Sequence, residues 1–561
     1  MLEIFLKVVC AASGLTAKWQ AYVFLRLLPL GSHYLPVIYT SAAVYLTTWL
    51  LAYFRGSRNA RISSTSLHMR CIVLICGIPD HRYPYLTWLG VGLTLLAPLF
   101  SADFVYRAHY LHPAIDLSFA RLGWTGHDTA SLLIRLPEAK FYNLTYYPST
   151  SKHDQSRLVQ LSSLTPATDF TLPIILDGLR PDTEYNYYIN AEISGTFTTR
   201  RNATDLEAFT ILSSSCLKPG WPYSPLAHPL EVKGFSEVDH YVRTMDRLPE
   251  AMLFLGDFIY SDLPYPVSEY TNTYYRQLYR QVYSSPSWTP LLRSIPWLHM
   301  FDDHEIINDF APDSPHNHAM FKSAMEPYVS YQQTVNPLPL SSEQPTYFSF
   351  EIGAVSFFVL DNRSYRSTPP HRPGKNSTAG HGERTMLGEL QLMAVKRWVE
   401  MQGRKEGRLL VLVSGVPVTR NWSEGKDELD SWAGYLDERE IILEELWSVG
   451  GAVIISGDRH EHATTLLPPP AFSIIPATSA VIEFSTSPLS FFHQPWTREY
   501  LPHLPTDVPL HHQWKGDTRF GVFDFDTSGL HPIVNFKLLV DGEEEWRYAW
   551  TKGAQIKANG Q

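Results

Sequence analysis

The chain has 561 residues, of which 44% are hydrophobic and 18% charged, and its net charge at pH 7 is −10. It is too apolar for a disordered chain and too charged for a polytopic channel. An acidic chain lacks the basic face that nucleic-acid binding requires, so we expect no nucleic-acid partner. Four cysteines in this length exclude a disulfide scaffold.

Two uncharged runs near the start, at about 37–54 and 84–102, predict membrane-spanning helices. Each is close to the ~20 residues that cross a bilayer core. Residues 1–15 are either a third span or an interfacial helix. The alternative for both runs is a pair of buried core helices. We therefore predict a membrane region over residues 1–104.

The segment 55–83 between the two runs carries five arginines and no lysine. The positive-inside rule then places this segment in the cytoplasm and the rest of the chain in a lumen or outside the cell. The chain is accordingly predicted to be a multi-pass membrane protein. Glycosylation tripeptides in the later part agree with that orientation and predict a glycoprotein; they begin at Asn143, Asn202, Asn376 and Asn421.

Residues 105–205 show the short alternating runs and turn residues of a β-sandwich. Within them, Leu179–Tyr185 resembles the tyrosine corner of fibronectin type III-like and immunoglobulin-like domains, with Tyr185 as the corner residue. This region contains no cluster of reactive side chains. We expect it to act as a spacer or shield.

Residues 206–550 are predicted to form an α/β domain, because apolar strands alternate with helical stretches such as 386–403 and 436–449. Ligands of such sheets bind beyond the carboxyl ends of the strands. Each predicted strand ends in polar residues or glycine, namely Cys216, Asp257, Asp302–Glu305, Asp361, Gly415 and Asp458–His462.

Carboxylates that converge at one sheet edge, here Asp257, Asp303 and Asp458, require either protons or a metal ion. His460 adds an imidazole, Cys216 a thiolate and Tyr260 a phenolate. Sulfur and phenolate suit Fe³⁺ better than Ca²⁺ alone. Two metal ions about 3.5–4 Å apart could hold a phosphate and lower the pKa of a bridging water. Taken alone, Cys216 would more often be a small buried apolar residue.

Four motifs together resemble the PhoD-like alkaline phosphatases and phosphodiesterases of the metallophosphoesterase superfamily. They are Gly256–Tyr260, Asp302–Asn308, Leu360–Arg366 and Ser456–Glu461, and the Ser-Ser-Cys216 strand end also matches. The resemblance implies an αββα sandwich with an iron–calcium centre that hydrolyses phosphomonoesters and phosphodiesters. Purple acid phosphatases share Gly-Asp-x-x-Tyr, but they would show Gly-Asn-His in place of Phe301–His304 and an aspartate in place of Cys216.

The resemblance also implies a role for each candidate site residue. Cys216, Asp257 and Tyr260 would hold Fe³⁺, completed by His460 or Asp458. Asp303, Asn308 and Asp458 would hold Ca²⁺, with Asp257 as a bridge.

Two further residues would act on the substrate. Arg363 would bind phosphate oxygens with its planar guanidinium. His304 would protonate the leaving oxygen or orient a ligand.

The predicted function is therefore a metal-dependent phosphoric ester hydrolase that uses a metal-activated hydroxide on a phosphate-ester substrate. Two alternatives remain open at the level of the sequence. One is a membrane-tethered phosphodiesterase that acts on lipid or glycolipid head groups. The other is a binding protein that keeps the same fold without activity.

Overall fold

A computed structural model describes most of the chain. The described residues are 1–56, 67–137, 142–150, 156–161, 164–190, 193–312, 315–342, 346–367, 384–422, 430–502 and 506–554. Asn376, Arg58 and Arg61 lie outside them.

The chain forms two compact units. The first comprises Met1–Pro113 together with Gly220–Pro229 and Asp262–Ser268, and the second comprises the remaining residues. The first unit is helical. Its helices are α1 (Leu2–Arg26), α2 (Gly31–Arg55), α3 (Leu67–Cys76) and α4 (Pro84–Leu111).

Helices α2 and α4 contain the two predicted spans and are long and apolar enough to cross a membrane, judged by length and composition. Both are longer than the uncharged runs. Helix α4 continues to Leu111 because the mixed sequence after Ala102 still has no helix-breaking residue. The boundary of the helical unit consequently lies at Pro113 rather than at residue 104. Helix α3, inside the basic segment, was not predicted.

The second unit begins with two small antiparallel sheets. Three strands pair in the order β1-β2-β5 and four in the order β4-β3-β6-β7. The strands are β1 (Phe119–Thr125), β2 (Ala130–Arg135), β3 (Tyr142–Pro148), β4 (Arg157–Leu161), β5 (Thr171–Leu176), β6 (Glu184–Ile189) and β7 (Ile193–Thr198). The Tyr185 hydroxyl accepts a hydrogen bond from the Arg180 amide at 2.8 Å, which is the corner contact expected of this residue.

Among the residues that the structure describes, the rest of the second unit contains two larger sheets and six α-helices. One sheet has the order β10-β9-β8-β18-β19-β20 and the other β11-β12-β13-β14-β16-β15-β17. Their strands are β8 (Ala208–Ser214), β9 (Ala251–Leu255), β10 (Trp297–Met300), β11 (Phe348–Ile352), β12 (Val355–Val359), β13 (Leu409–Ser414), β14 (Val453–Ser456), β15 (His462–Leu467), β16 (Val481–Thr486), β17 (Val508–Gln513), β18 (Arg519–Asp526), β19 (Ile533–Val540) and β20 (Glu543–Thr551). The helices are α5 (Lys233–Arg243), α6 (Asn272–Tyr283), α7 (Pro290–Ser294), α8 (Pro315–Tyr331), α9 (Gly388–Gly403) and α10 (Leu436–Ser448).

Alternation along the central strands produces four layers. In β13, Val411 packs between the two sheets while Leu410 and Leu412 pack under α9 and α10. In β8, Ile211 likewise faces the other sheet and Leu212 faces the helices α5–α8. Each strand therefore has apolar side chains on both faces, as buried parallel strands require. The result is an αββα sandwich.

The β-sandwich packs directly on this αββα core, which the sequence does not reveal. The fully buried guanidinium of Arg121 donates to the carbonyl oxygens of Trp297, at 3.2 Å, and Tyr331, at 2.9 Å. Arg280 pairs with Asp169 at 2.6 Å. Buried polar contacts of this kind fix orientation, because an unpaired partner would be costly. The two regions predicted as separate domains thus belong to one compact unit.

Fold stability should fall in acid because of His299, whose ring is buried among Phe254, Phe258 and Trp297. Burial, and then the charge of Arg121, lowers the pKa of His299 well below its usual value. The unfolded chain therefore binds a proton at this histidine near pH 6.5, whereas the folded chain does not. Below that pH, the free energy of unfolding falls by about 1.4 kcal/mol per pH unit. His299→Phe should lessen this loss.

Thermal unfolding of both proteins at pH 8 and pH 5.5 checks this expectation. The melting temperature of the variant minus that of the wild type should be larger at pH 5.5 than at pH 8. An equal difference at both pH values would contradict it.

Candidate metal centre

The candidate residues occupy strand ends at one edge of the two sheets, and their backbones are strained. Cys216 follows β8, Asp257 follows β9, and Asp458 and His460 follow β14. Their φ angles are +60°, +58°, +77° and +54°. Left-handed backbone at residues other than glycine costs about 1–3 kcal/mol each and tends to occur at functional sites.

Gly256 explains why the Gly-Asp-x-x-Tyr motif needs its glycine. Its φ is +96°, and a Cβ placed there would lie 2.4 Å from the Cβ of Asp302. The ends of β9 and β10 therefore approach each other too closely for any side chain at position 256. This approach brings the aspartates that follow the two strands together.

A sulfur atom and a phenol oxygen meet at the carboxyl group of Asp257, and an imidazole contacts the phenol oxygen. Its Oδ2 lies 3.3 Å from Cys216 Sγ and 3.0 Å from Tyr260 Oη. Tyr260 Oη lies 3.1 Å from His460 Nε2. All of these side chains come from different strand ends except Asp257 and Tyr260, which share one loop. Cys216, Asp257 and Tyr260, predicted to hold a trivalent ion, are thus adjacent to His460, one of the two predicted alternatives for the fourth ligand.

Four carboxyl groups form a second cluster beside the first. One oxygen each of Asp257, Asp302, Asp303 and Asp458 lies within 4.8 Å of the others. Asp302 Oδ2 and Asp303 Oδ1 are buried and have no hydrogen-bond partner among the described residues. Buried carboxylate oxygens without partners are costly. A divalent or trivalent cation would satisfy them.

The pKa shifts of these side chains are also consistent with a bound cation. Burial raises the pKa of Asp257 well above its ordinary range; His304 opposes that rise, and the charges of Asp303 and Asp302 increase it. Burial, then the charge of Asp257, raises the pKa of Cys216 and of Tyr260. Burial lowers the pKa of His460 to about 3, so its ring is neutral. Metal ions would instead stabilise the thiolate, phenolate and carboxylates, and the donor set fits that role.

Arg363 lies behind this cluster with no exposed surface. Its Nε donates to Asp302 Oδ1, and its Nη1 lies 2.6 Å from Asp430 Oδ1. Arg366 pairs with the same Asp430 oxygen at 2.6 Å. This burial favours a role for Arg363 in holding Asp302 and disfavours the predicted direct contact with phosphate. Arg459 lies nearer the ligands, with its Nε 2.9 Å from Asp458 Oδ2.

His304 and Asn308 follow the Asp303 strand end. The backbone amide of His304 donates to Asp257 Oδ1 at 3.3 Å, and its half-buried ring lies 4.2 Å, centre to centre, from that of Tyr260. Asn308 occupies an exposed turn. Its assignment as a Ca²⁺ ligand stays a prediction.

The glycosylation prediction needs one correction. Asn421 is fully buried, and its Nδ2 donates to Tyr500 Oη at 2.7 Å. A glycan cannot be attached there in the folded chain. Asn143 and Asn202 are exposed.

Sequence reasoning missed three residues that touch the site. Ser215 Oγ lies 3.1 Å from Cys216 Sγ and accepts from the Asp458 amide at 3.0 Å. Asp302 stood inside a recognised motif but was not assigned a role. Asp430 lies in no motif, and no local signal in the sequence could have identified it.

The fold and the site define a metallophosphoesterase-like protein. A sequence profile described as PhoD-like phosphatase matches residues 214–527, which is more than half of the chain. The chain therefore belongs to the PhoD-like phosphatase family, as the motifs predict.

Individual relatives agree with this membership. Alkaline phosphatase D of Bacillus subtilis (strain 168) is 25% identical over 247 residues, covering 38% of this chain and 41% of the relative. A solved structure of PhoD superposes with a TM-score of 0.59 at 18% identity, covering 78% of this chain and 88% of that one. The structure of purple acid phosphatase PPD1 from yellow lupin (Lupinus luteus) superposes with a TM-score of 0.53 at 11% identity, covering 77% of this chain and 74% of that one. At these identities the two structures show a shared fold.

Cys216→Ser should weaken metal binding on the order of 10-fold or more, because it removes a soft ligand from a site built around it. Elemental analysis of the purified chain, after dialysis against a fixed free-metal concentration, measures the effect. Cys71→Ser, at an exposed cysteine in the helical unit, is the matched control. Equal metal content in both variants would count against Cys216 as a ligand.

Proposed function

We propose that this protein is a metal-dependent phosphoric ester hydrolase acting on phosphomonoesters or phosphodiesters. One observation carries the proposal: Cys216 Sγ and Tyr260 Oη both contact Asp257 Oδ2, beside three further carboxyl groups. A sulfur, a phenol and several carboxyl groups would be a poor arrangement for buried side chains without metal ions. They are good ligands for a mixed pair of ions.

In this proposal Cys216, Tyr260, Asp257 and His460 would hold Fe³⁺. Asp303, Asp458 and Asn308 would offer oxygen ligands to Ca²⁺, which suits a hard cation. Asp257 faces both groups and could serve either ion. When bound, such ions neutralise phosphate charge and lower the pKa of a coordinated water.

The chain's own side chains would orient the ester and handle its protons. His304 is the proposed proton donor to the leaving oxygen, since its ring is half-buried beside Tyr260. Arg459 is a candidate for contact with phosphate oxygens, and Arg363 would hold Asp302 in place. No serine nucleophile is needed for this reaction.

Asp257→Asn should abolish hydrolysis of an aryl phosphate and an aryl phosphodiester, with a loss on the order of 10³-fold, because the bridging charge is removed. The measurement is initial rate with each substrate, together with bound metal and melting temperature. Asp205→Asn, at an exposed turn, is the control and should keep full activity. Wild-type turnover by Asp257→Asn would contradict the proposal. Wild-type protein that binds no metal and has no activity would favour an inactive binding protein on this fold.

The membrane part of the proposal rests on the helical unit. Helices α2 and α4 would anchor the chain, and the arginines between them would keep that segment in the cytoplasm. The hydrolase unit would then face a lumen or the cell exterior.

A second candidate function is hydrolysis of phospholipid or glycolipid head groups. One observation favours it: residues 220–229 and 262–268 fold with the apolar helices, and they follow Cys216 and Tyr260 closely in the sequence. Segments that follow metal-ligand candidates in the sequence and fold with apolar helices would suit an ester presented by a bilayer.

Comparison of substrates distinguishes the two candidates. With the full chain in mixed micelles, a lipid phosphodiester should exceed a soluble aryl phosphodiester in kcat/KM by about 10-fold or more if lipid is the substrate, a difference of about 1.4 kcal/mol. A preference for the soluble ester that micelles do not change would contradict the lipid hypothesis and support hydrolysis of soluble phosphate esters.

A further inference from the structure

The carboxyl group of Glu305 joins the two loops that carry the aspartate ligands. Its Oε2 accepts hydrogen bonds from the backbone amides of Asp257 and Asp302, both at 2.8 Å. Its Oε1 accepts from the amide of Phe258 at 2.6 Å. The residue is 1% exposed. One side chain therefore receives three backbone N–H groups from the ends of two neighbouring strands.

These three amides belong to residues in the two loops that carry the candidate aspartate ligands. Asp257 has a φ of +58°, and its anchored N–H fixes the direction in which its carboxyl group leaves the chain. That carboxyl group faces Cys216, Tyr260 and the amide of His304. The Asp302 amide immediately precedes Asp303 in the other loop. A displacement of Glu305 would thus move ligands of both proposed ions.

We propose that Glu305 is a positioning residue of the metal centre, an inference that rests on the proposed function. It does not contact the substrate. It holds the Asp257 loop and the Asp302–Asp303 loop at the separation in which their carboxyl oxygens can share ions. Hydrogen bonds behind the ligands commonly have this effect on metal affinity.

The chemistry of the contact makes a sharp test possible. A carboxylate only accepts hydrogen bonds, whereas a glutamine presents an NH₂ group on one side. In Glu305→Gln, that NH₂ must face either Phe258 N–H or the pair from Asp257 and Asp302. Donor would then meet donor, so at least one of the three backbone hydrogen bonds that hold the two loops would be lost while side-chain volume stays nearly the same.

Glu438 offers a matched control elsewhere in the same unit. It is buried, its Oε2 accepts from the backbone amides of Met386 and Leu387, and its Oε1 accepts from Thr385 Oγ1. Glu438→Gln makes the same chemical change in a related cradle, in which two backbone N–H groups and one hydroxyl donate to the carboxyl group. It lies outside the proposed metal-binding and substrate-binding machinery.

The experiment measures metal affinity, turnover at saturating metal and melting temperature for the full-length wild type and both variants. Glu305→Gln should bind metal about 10–100-fold more weakly, with turnover partly recovered at high metal concentration. Glu438→Gln should lower the melting temperature with metal affinity unchanged. Unchanged metal affinity in a folded Glu305→Gln would overturn the proposal. If wild type neither binds metal nor hydrolyses esters, the proposed function fails instead.

A measurement on wild type keeps the inference testable if Glu305→Gln does not fold. Hydrogen–deuterium exchange of metal-free protein should show slow exchange in peptides covering 256–259 and 301–305, because Glu305 holds their amides without any ion. Rapid exchange of these peptides in metal-free protein, with protection appearing only when metal is added, would overturn the proposal.

Discussion

The main physical constraint on the structure is the repulsion among four carboxyl groups that lie close together at one buried sheet edge. Asp257, Asp302, Asp303 and Asp458 approach within a few ångströms of one another, and Asp302 Oδ2 and Asp303 Oδ1 have no hydrogen-bond partner among the described residues. Repulsion and lost hydration would oppose such a cluster. Arg363 neutralises part of it from behind. Bound cations would supply the remaining positive charge, and the strand ends of the αββα sandwich position the carboxyl groups around them.

Backbone strain at the candidate ligand residues adds to this cost. Cys216, Asp257, Asp458 and His460 all have left-handed backbones, and neighbouring side chains hold them there. Ser215 and Ser487 accept the amides of Asp458 and His460, at 3.0 and 2.7 Å, while Glu305 accepts that of Asp257. Strain persists where the surroundings fix it, and it places each side chain toward a common centre.

The sequence predicts the sheet domain and most of the site because strand ends can be recognised locally. Apolar runs that stop at Cys216, Asp257, Asp303 and Asp458 correspond to strands β8, β9, β10 and β14. Asp430 could not be found this way, since only the fold brings it to Arg363. The joining of the β-sandwich to the core depends on buried contacts such as Arg121 with Trp297, which no periodicity reveals. Burial of Asn421 is likewise a tertiary effect.

The most direct test of the account is anomalous X-ray diffraction from crystals of the full-length protein, collected above and below the iron absorption edge. The account predicts an iron peak within bonding distance of Cys216 Sγ and Tyr260 Oη, and a second, lighter ion near Asp303 and Asp458. Density that shows no ion at Cys216 and Tyr260, in protein that hydrolyses phosphate esters, would contradict it.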